Sequence, residues 1–521
     1  MVEKRKRNNN KNIIKKIFSA KNIGVFVLLV IVYFSLFIKI EFNDMGFEQL
    51  IFALTNSEGS NYEIVYKGIF IISLWLVLTY VLLWGLKKLY KFMKIKINIK
   101  VGFKDKSYNF EVFKVTKLRQ IIFYSLFVVV AIVGSIKLLA LDKYYEAQTN
   151  YSVIFENKYI SPDEVKLDFP EKKRNLIYIF VESLESSNMT IKNGGLVKKS
   201  YMPNLEKLAL ENVNFSDSDK IGGATQVSGT TWTVEALVSH TAGIPLKVPI
   251  DGNKVSGTNG FLPGIKNIGD VLKENGYNNY FMLGSDASIS GRRSYFEQHG
   301  DYEIYDYLWA KEEEKIPADY YEWWGFEDAK LFEYAKEKLG EIAEDDEPFN
   351  FTMLTADTHF VDGYMDETCK NKFDSAYANA FYCADTKLAD FVKWIQKQDF
   401  YEDTTIVIVG DHLTMQSDFY STNDNNARRV YNVFINSAVE SDHVKNRKFS
   451  TLDYFPTTLA ALGVDIEGEK LGLGVNLFSG QETLVEKMGV EKLNEKLTIK
   501  SFYYDDNFLG DTYYRMIQDG E

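Results

Sequence analysis

The chain has 521 residues, too many for one small domain, with 60 Lys+Arg against 72 Asp+Glu, five His and two Cys. A mean hydropathy of −0.20 excludes a wholly membrane-embedded protein, and a formal charge of −12 argues against a nucleic-acid partner. The charge is unevenly divided: through Asp142 there are 22 Lys+Arg against 9 Asp+Glu, which leaves about −25 for the remainder.

Three runs free of acidic residues, at about 23–40, 67–86 and 120–141, are long enough to cross a bilayer. Lys39 and Lys137 lie near their outer ends, where a lysine stem reaches the headgroups. Leu36, Ile38 and Ile40 make a poor signal-peptide cleavage site. Buried core helices are the alternative reading. Lys4, Arg5, Lys6, Arg7, Lys11, Lys15, Lys16 and Lys21 precede the first run, and the segment 41–66 has Glu41, Asp44, Glu48, Glu58 and Glu63 but no lysine or arginine. After the second run the basic residues return, among them Lys94, Lys96, Lys104 and Lys114. The positive-inside rule then places the N-terminus and the second loop in the cytoplasm and everything after Leu141 outside. Residues 1–142 are thus expected as a transmembrane region, with 143–172 (Ser161-Pro162, Phe169-Pro170) as a linker.

The exterior part, 173–480, opens on Asn175-Leu176-Ile177-Tyr178-Ile179-Phe180-Val181, a continuous apolar run that predicts a strand buried on both faces. It ends in Glu182. A carboxylate there is either a helix-start residue or a ligand beyond a strand's carboxyl end. A helix is predicted over 201–212. Gly229-Thr230-Thr231-Trp232-Thr233 then leads into an apolar helix. A hydroxyl at such a place is an N-cap, or beside a metal it is a nucleophile. The Cys/Ser-Pro-Arg pattern that generates a sulfatase's aldehyde nucleophile is absent here.

A further strand over 279–283 is followed by Arg292-Arg293, a pair that is either solvated or suited to phosphate oxygens. Phe349 to Thr355 reads as another strand, with His359 just beyond it. Cys369 and Cys383 fall on the predicted outer side, where a disulfide persists, with two free thiols as the other reading. Thr404 to Val409 is again continuously apolar and runs through Gly410 into Asp411-His412, one oxygen and one nitrogen donor. Residues 481–521 are expected as a helical, charged tail. Strands alternating with helices predict an α/β fold with a largely parallel sheet sandwiched by helices.

Asn175 to Leu184, Gly229-Thr230, Ala242-Gly243-Ile244-Pro245-Leu246, Asp357-Thr358-His359, Gly410-Asp411-His412-Leu413 and Leu471-Gly472-Leu473-Gly474 form an ordered set. In this set the chain resembles the membrane-bound phosphoglycerol transferases, most closely their glucan-modifying branch, with lipoteichoic acid synthase more distant. Both belong to the alkaline phosphatase and sulfatase superfamily. The resemblance implies metal ligation by Glu182, Thr230, Asp411 and His412, with Thr230 also the nucleophile. It implies substrate binding by His359 and Arg292, and one divalent ion: manganese, with magnesium or zinc as alternatives. It further implies a bacterial cytoplasmic membrane protein with an extracytoplasmic catalytic domain, phosphatidylglycerol as donor lipid and a glycan as acceptor. A phosphoethanolamine transferase, a polyglycerolphosphate synthase and a non-catalytic glycan-binding membrane protein are the competing readings. Two positions depart from the synthase pattern: Thr231-Trp232 replaces Ser-Asp after the threonine, and Ser290 replaces a tryptophan before Arg292. Thr231 and Thr233 lie within one turn of Thr230 and stay open as nucleophiles.

Overall fold

A computed structural model describes residues 20–42, 46–47, 49–51, 63–93, 98–103, 106–111, 117–248, 260–345, 347–416, 419–420 and 427–510. The basic residues 4–16, the acidic Asp44, Glu48 and Glu58, the lysines Lys94, Lys96, Lys104 and Lys114, and the tail beyond 510 lie outside the described residues. The chain divides into two compact units, residues 1–47 with 61–145 and residues 48–60 with 146–521.

In the first unit, unbroken apolar sequence without proline forms helices α1 (Ala20–Phe42), α2 (Glu63–Met93) and α3 (Lys117–Leu138). Asn22–Phe42, Val65–Leu89 and Gln120–Leu138 are long and apolar enough to cross a membrane. Leu82, Leu83, Ile121 and Phe123 are exposed, an apolar exterior suited to hydrocarbon rather than water. Gly68 lets two of these helices approach, since a Cβ there would lie 2.9 Å from the Phe37 ring. Within the basic loop the chain forms an unanticipated antiparallel hairpin, β1 (Asn98–Phe103) with β2 (Lys106–Glu111). Ile99, Val101 and Phe103 alternate with polar residues, a period of two that the lysine content obscures.

The second unit is built on a seven-stranded sheet. Its strands are β3 (Asn175–Val181), β4 (Gly223–Ala224), β5 (Asn278–Leu283), β6 (Glu303–Tyr305), β7 (Phe349–Leu354), β8 (Thr404–Gly410) and β9 (Val430–Ile435). Their spatial order is β4-β9-β8-β3-β7-β5-β6. The run from β8 to β6 is parallel; beyond β8, β9 is reversed, and the short β4 pairs antiparallel with β9 at the edge. Alternate residues enter opposite layers. Tyr178, Phe180, Val407 and Val409 pack with helices α5 (Thr233–Ala242) and α9 (Tyr454–Ala461), while Ile177, Ile179, Ile406 and Ile408 pack with α4 (Pro203–Glu211), α7 (Asp328–Ile342) and α8 (Ala376–Ile395). Both faces are therefore covered, which is why these strands read as continuous apolar runs.

Residues 146–172, expected as linker, are folded into this unit. Ile154 and Phe155 are buried, Phe155 lies against Tyr504 and Phe508, and Leu167–Asp168 pairs with Asp465–Ile466. The apolar residues of this stretch follow neither a period of two nor one of 3.6, so they do not announce a buried anchor. The tail begins with two short helices, Leu484–Met488 and Val490–Thr498.

Candidate active site

β3 and β8 lie side by side in parallel, with Gly410 opposite Val181, so Glu182 and Asp411 leave the sheet at the same level. Gly410 is required by close packing: a Cβ there would fall 1.8 Å from the Leu184 carbonyl oxygen. Ser183 adopts a left-handed conformation (φ 55). Its N–H donates to Asp411 Oδ1 at 2.7 Å and its hydroxyl to Glu182 Oε1 at 2.7 Å. Two further hydroxyls fix the Glu182 backbone: its N–H donates to Thr355 Oγ1, and Thr358 Oγ1 donates to its carbonyl. The His412 N–H also donates to Asp411 Oδ1 at 2.7 Å. Asp411 Oδ1 is thus doubly satisfied, whereas its Oδ2 is buried with no hydrogen-bond partner.

His412 Nδ1 lies 2.9 Å from the Leu413 carbonyl, which can only accept, so the ring proton is on Nδ1 and Nε2 keeps its lone pair. That nitrogen is 3.4 Å from Asp411 Oδ2 and 3.5 Å from Glu182 Oε1. The ligand atoms of Glu182, Asp411 and His412 all fall within 4.8 Å of one another. Burial and then the neighbouring Glu182 push the Asp411 carboxyl well up. Burial also works against charge on Glu182, but His359 and then His412 hold it below the usual carboxylate range. Two buried carboxylates, one with an oxygen that has no partner, plus an imidazole lone pair are a donor set that fits a divalent cation. The same residues without one would carry a desolvation cost with little offset.

The hydroxyl that meets this trio belongs to Thr233. Its Oγ1 donates to Glu182 Oε2 at 3.2 Å and lies 3.5 Å from His412 Nε2. Thr233 is the first residue of α5, and Trp232, the residue before it, supplies no side-chain cap. Thr230, expected in this role, is fully buried elsewhere in its own turn. Its hydroxyl donates to the Val227 carbonyl at 2.9 Å and accepts the Val227 N–H at 3.0 Å, and none of its hydrogen bonds reaches the trio. Thr231 is also engaged: its N–H and hydroxyl donate to Glu235 Oε2, while Gln49 Nε2 donates to Thr231 Oγ1 at 2.7 Å and to Glu235 Oε1 at 3.1 Å.

Arg292 is buried at the start of α6 (Arg292–Gln298) and donates to the Ile289 and Asp286 carbonyls and to Ser285 Oγ. No carboxylate pairs with it among the described residues. Burial pushes its pKa down to about 10, with Asp286 and Glu182 opposing. A buried guanidinium held by neutral acceptors is prepared for an anion. His359 follows β7, its Nδ1 bonded to the Phe360 carbonyl and its ring 4.7 Å from that of Trp324. Burial lowers its pKa, against the attraction of Glu182. The turn bearing His359 is fastened from α8: Lys387 pairs with both Asp357 and Asp366, and the disulfide Cys369–Cys383 closes the loop beyond. With their sulfurs joined, these cysteines are not thiolate ligands.

The resemblance implies Thr230, with Thr231 and Thr233 as alternatives, and in the sequence only the helix start distinguishes Thr233. Ser183, Thr355 and Thr358 gave a weaker signal, as hydroxyls just beyond apolar strands. Gln49 and Trp324 gave none.

A parallel sheet covered on both faces, with an acid–acid–imidazole–hydroxyl cluster at the carboxyl ends of its central strands, defines an α/β protein of the alkaline phosphatase and sulfatase type. The Sulfatase family model matches residues 174–464, more than half of the chain, and the chain belongs to that family. It is similar to phosphoglycerol transferase I of Escherichia coli strain 536, at 32% identity over 321 residues, 60% of this chain and 40% of the relative. The chain therefore spans well under two thirds of the curated relatives it matches. Among solved structures, a lipoteichoic acid synthase from Listeria monocytogenes is 16% identical, covering 63% of this chain and 80% of its own at a TM-score of 0.48. The lipooligosaccharide phosphoethanolamine transferase A of Neisseria meningitidis is 14% identical, covering 87% and 86% at a TM-score of 0.49.

Proposed function

We propose that the protein transfers phosphoglycerol from phosphatidylglycerol to a hydroxyl of an extracytoplasmic glycan, with Thr233 as the nucleophile. The observation that carries this reading is the Thr233 hydroxyl, set at a helix start and hydrogen-bonded to Glu182 at 3.2 Å. It is supported by the likeness to a phosphoglycerol transferase and by the absence of the sulfatase aldehyde motif.

Glu182, Asp411, His412 and Thr233 would hold one divalent ion, for which we propose manganese. When bound, it supplies positive charge that favours the threonine alkoxide and offsets charge on the phosphoryl oxygens. The rest is done by the chain. Thr233 Oγ1 gives up its proton and attacks phosphorus, the bond to the diacylglycerol oxygen breaks, and that oxygen takes up the proton, leaving glycerophosphoryl-threonine and diacylglycerol. Arg292 binds the non-bridging oxygens. His359 binds the departing oxygen as it takes up the proton that Thr233 releases. In the second half, a glycan hydroxyl attacks the same phosphorus, and its proton passes to the Thr233 oxygen as that oxygen leaves, restoring the hydroxyl. Helix α5 adds its N-terminal N–H groups beneath the phosphoryl group.

Incubation of the full chain with headgroup-labelled phosphatidylglycerol and a glycan mixture tests the reading. Label should move to glycan as diacylglycerol is released, and phosphatidylethanolamine should not replace the donor. Release from phosphatidylethanolamine alone, or label only in free glycerol phosphate chains, would replace this reading with one of the competing transferases.

A further inference from the structure

The strap of residues 320–326 precedes α7 and joins the two residues proposed to bind substrate, Arg292 and His359. At one end it is pinned to the end of β5. The Phe326 N–H donates to the Gly284 carbonyl at 2.9 Å, and Gly325 bridges Ser285, the residue whose hydroxyl accepts from Arg292. Gly325 (φ 151) permits this approach, because a Cβ would lie 2.2 Å from the Gly284 oxygen. At the other end the Trp324 ring packs on His359, and Trp323 Nε1–H donates to the Ala356 carbonyl at 2.9 Å. Trp323 has a left-handed backbone (φ 57), unusual for so large a side chain.

The outer side of this strap is aromatic and acidic at once. The Trp323 and Tyr364 rings lie 6.1 Å apart and within 27° of parallel. Tyr364 OH donates to Glu322. Val361, on the same turn as His359, is 51% exposed. Asp362 exchanges two hydrogen bonds with Gln416, and both Asp362 and Glu322 are exposed.

We infer that Trp323, Tyr364 and the flanking Glu322 and Asp362 form a subsite for a neutral carbohydrate, the acceptor in the transfer proposed above, on which this inference rests. Two half-buried rings leave an open aromatic surface rather than a cage. A pyranose fits such a face, its C–H bonds meeting the electron-rich rings and its hydroxyls donating to the carboxylates. Exposed carboxylates beside the rings disfavour an acyl chain, which would strip their water, and repel an anionic headgroup. A small ammonium group would be better served by rings on several sides.

The test uses full-length Thr233→Ala protein, which cannot turn over, and follows ligand binding by saturation-transfer NMR. Probes are neutral gluco-, galacto- and manno-hexasaccharides, with sn-glycerol 3-phosphate and phosphorylethanolamine as contrasts. At least one hexasaccharide should bind, at least tenfold more weakly after Trp323→Ala and within about threefold of the parent after Trp323→Phe. Tyr364→Ala, which leaves the Trp323 anchor in place, should weaken it too. The inference is overturned if no hexasaccharide binds, if binding ignores both aromatic positions, or if Trp323→Ala weakens glycerol 3-phosphate or phosphorylethanolamine by the same factor. If hexasaccharide binding depends on Trp323 while wild-type protein releases no diacylglycerol from phosphatidylglycerol, the subsite stands and the donor assignment falls.

Discussion

A threonine hydroxyl is a poor nucleophile unless something stabilises its alkoxide, and its surroundings decide which of several threonines can react. Thr230, Thr231 and Thr233 are chemically alike and four residues span them, and the motif resemblance alone points to Thr230. Helix geometry gives them different surroundings. Thr230 spends its hydroxyl closing a turn, Thr231 bonds Glu235, and Thr233 at the first helical position faces Glu182 and His412. Thr233→Ala should cut diacylglycerol release by at least a thousandfold with the fold intact. Thr230→Ala should cost about 1 kcal/mol of stability for its lost turn bonds and keep activity within tenfold. Parallel lipid-release and thermal-unfolding assays separate the two. A second residue-scale prediction concerns His240 on α5, whose ring packs on Phe180 and Tyr454 with neither nitrogen hydrogen-bonded to a protein group. Burial pushes its pKa down to about 3 from 6.5. Between those values the unfolded chain binds one more proton than the folded one, so stability falls as pH drops through the window. From pH 6.5 to 5.5 this residue should account for about 1 kcal/mol, and His240→Phe should flatten the pH dependence of unfolding by that amount.

The central strands were legible because both their faces are buried, which leaves an uninterrupted apolar run and a polar residue at each exit. Glu182 and Asp411 were found this way, and the parallel register of β3 and β8 explains why they meet. β9 was missed, since nothing local distinguishes Val430–Ile435 from a buried helical turn. The antiparallel edge was missed with it, because pairing direction depends on how the chain returns and not on the strand's composition. The strap depends on contacts between distant segments that no pattern in the sequence records; of the latch on α8, the Cys369–Cys383 disulfide is an expected pairing, while the ion pairs of Lys387 with Asp357 and Asp366 are not. The latch carries a prediction of its own. The Cys369–Cys383 disulfide closes a loop of 14 residues, so Cys383→Ser should lower stability by up to about 3 kcal/mol, read as a lower denaturation midpoint. Lys387→Met, which removes the partner of Asp357 and Asp366, should reduce transfer activity more than it reduces stability, since it loosens the turn that carries His359.

At the scale of the whole chain, composition separated an apolar, basic N-terminal third from an acidic remainder, and the three apolar helices of the first unit match that division. The cation proposed for the second unit would sit between carboxylates that burial and mutual repulsion otherwise keep from ionising together. Binding to the folded state alone stabilises it by mass action. Manganese should therefore raise the unfolding temperature of wild-type protein, a chelator should reverse this, and Asp411→Asn should abolish the shift. The most direct measurement is peptide mass spectrometry of protein quenched during turnover of phosphatidylglycerol. Glycerophosphoryl mass on the peptide containing Thr233, localised to that residue and absent from Thr233→Ala, is the predicted result. The same mass on Thr230 or Thr231, or an unmodified peptide in Thr233→Ala protein that still releases diacylglycerol at the wild-type rate, would contradict it.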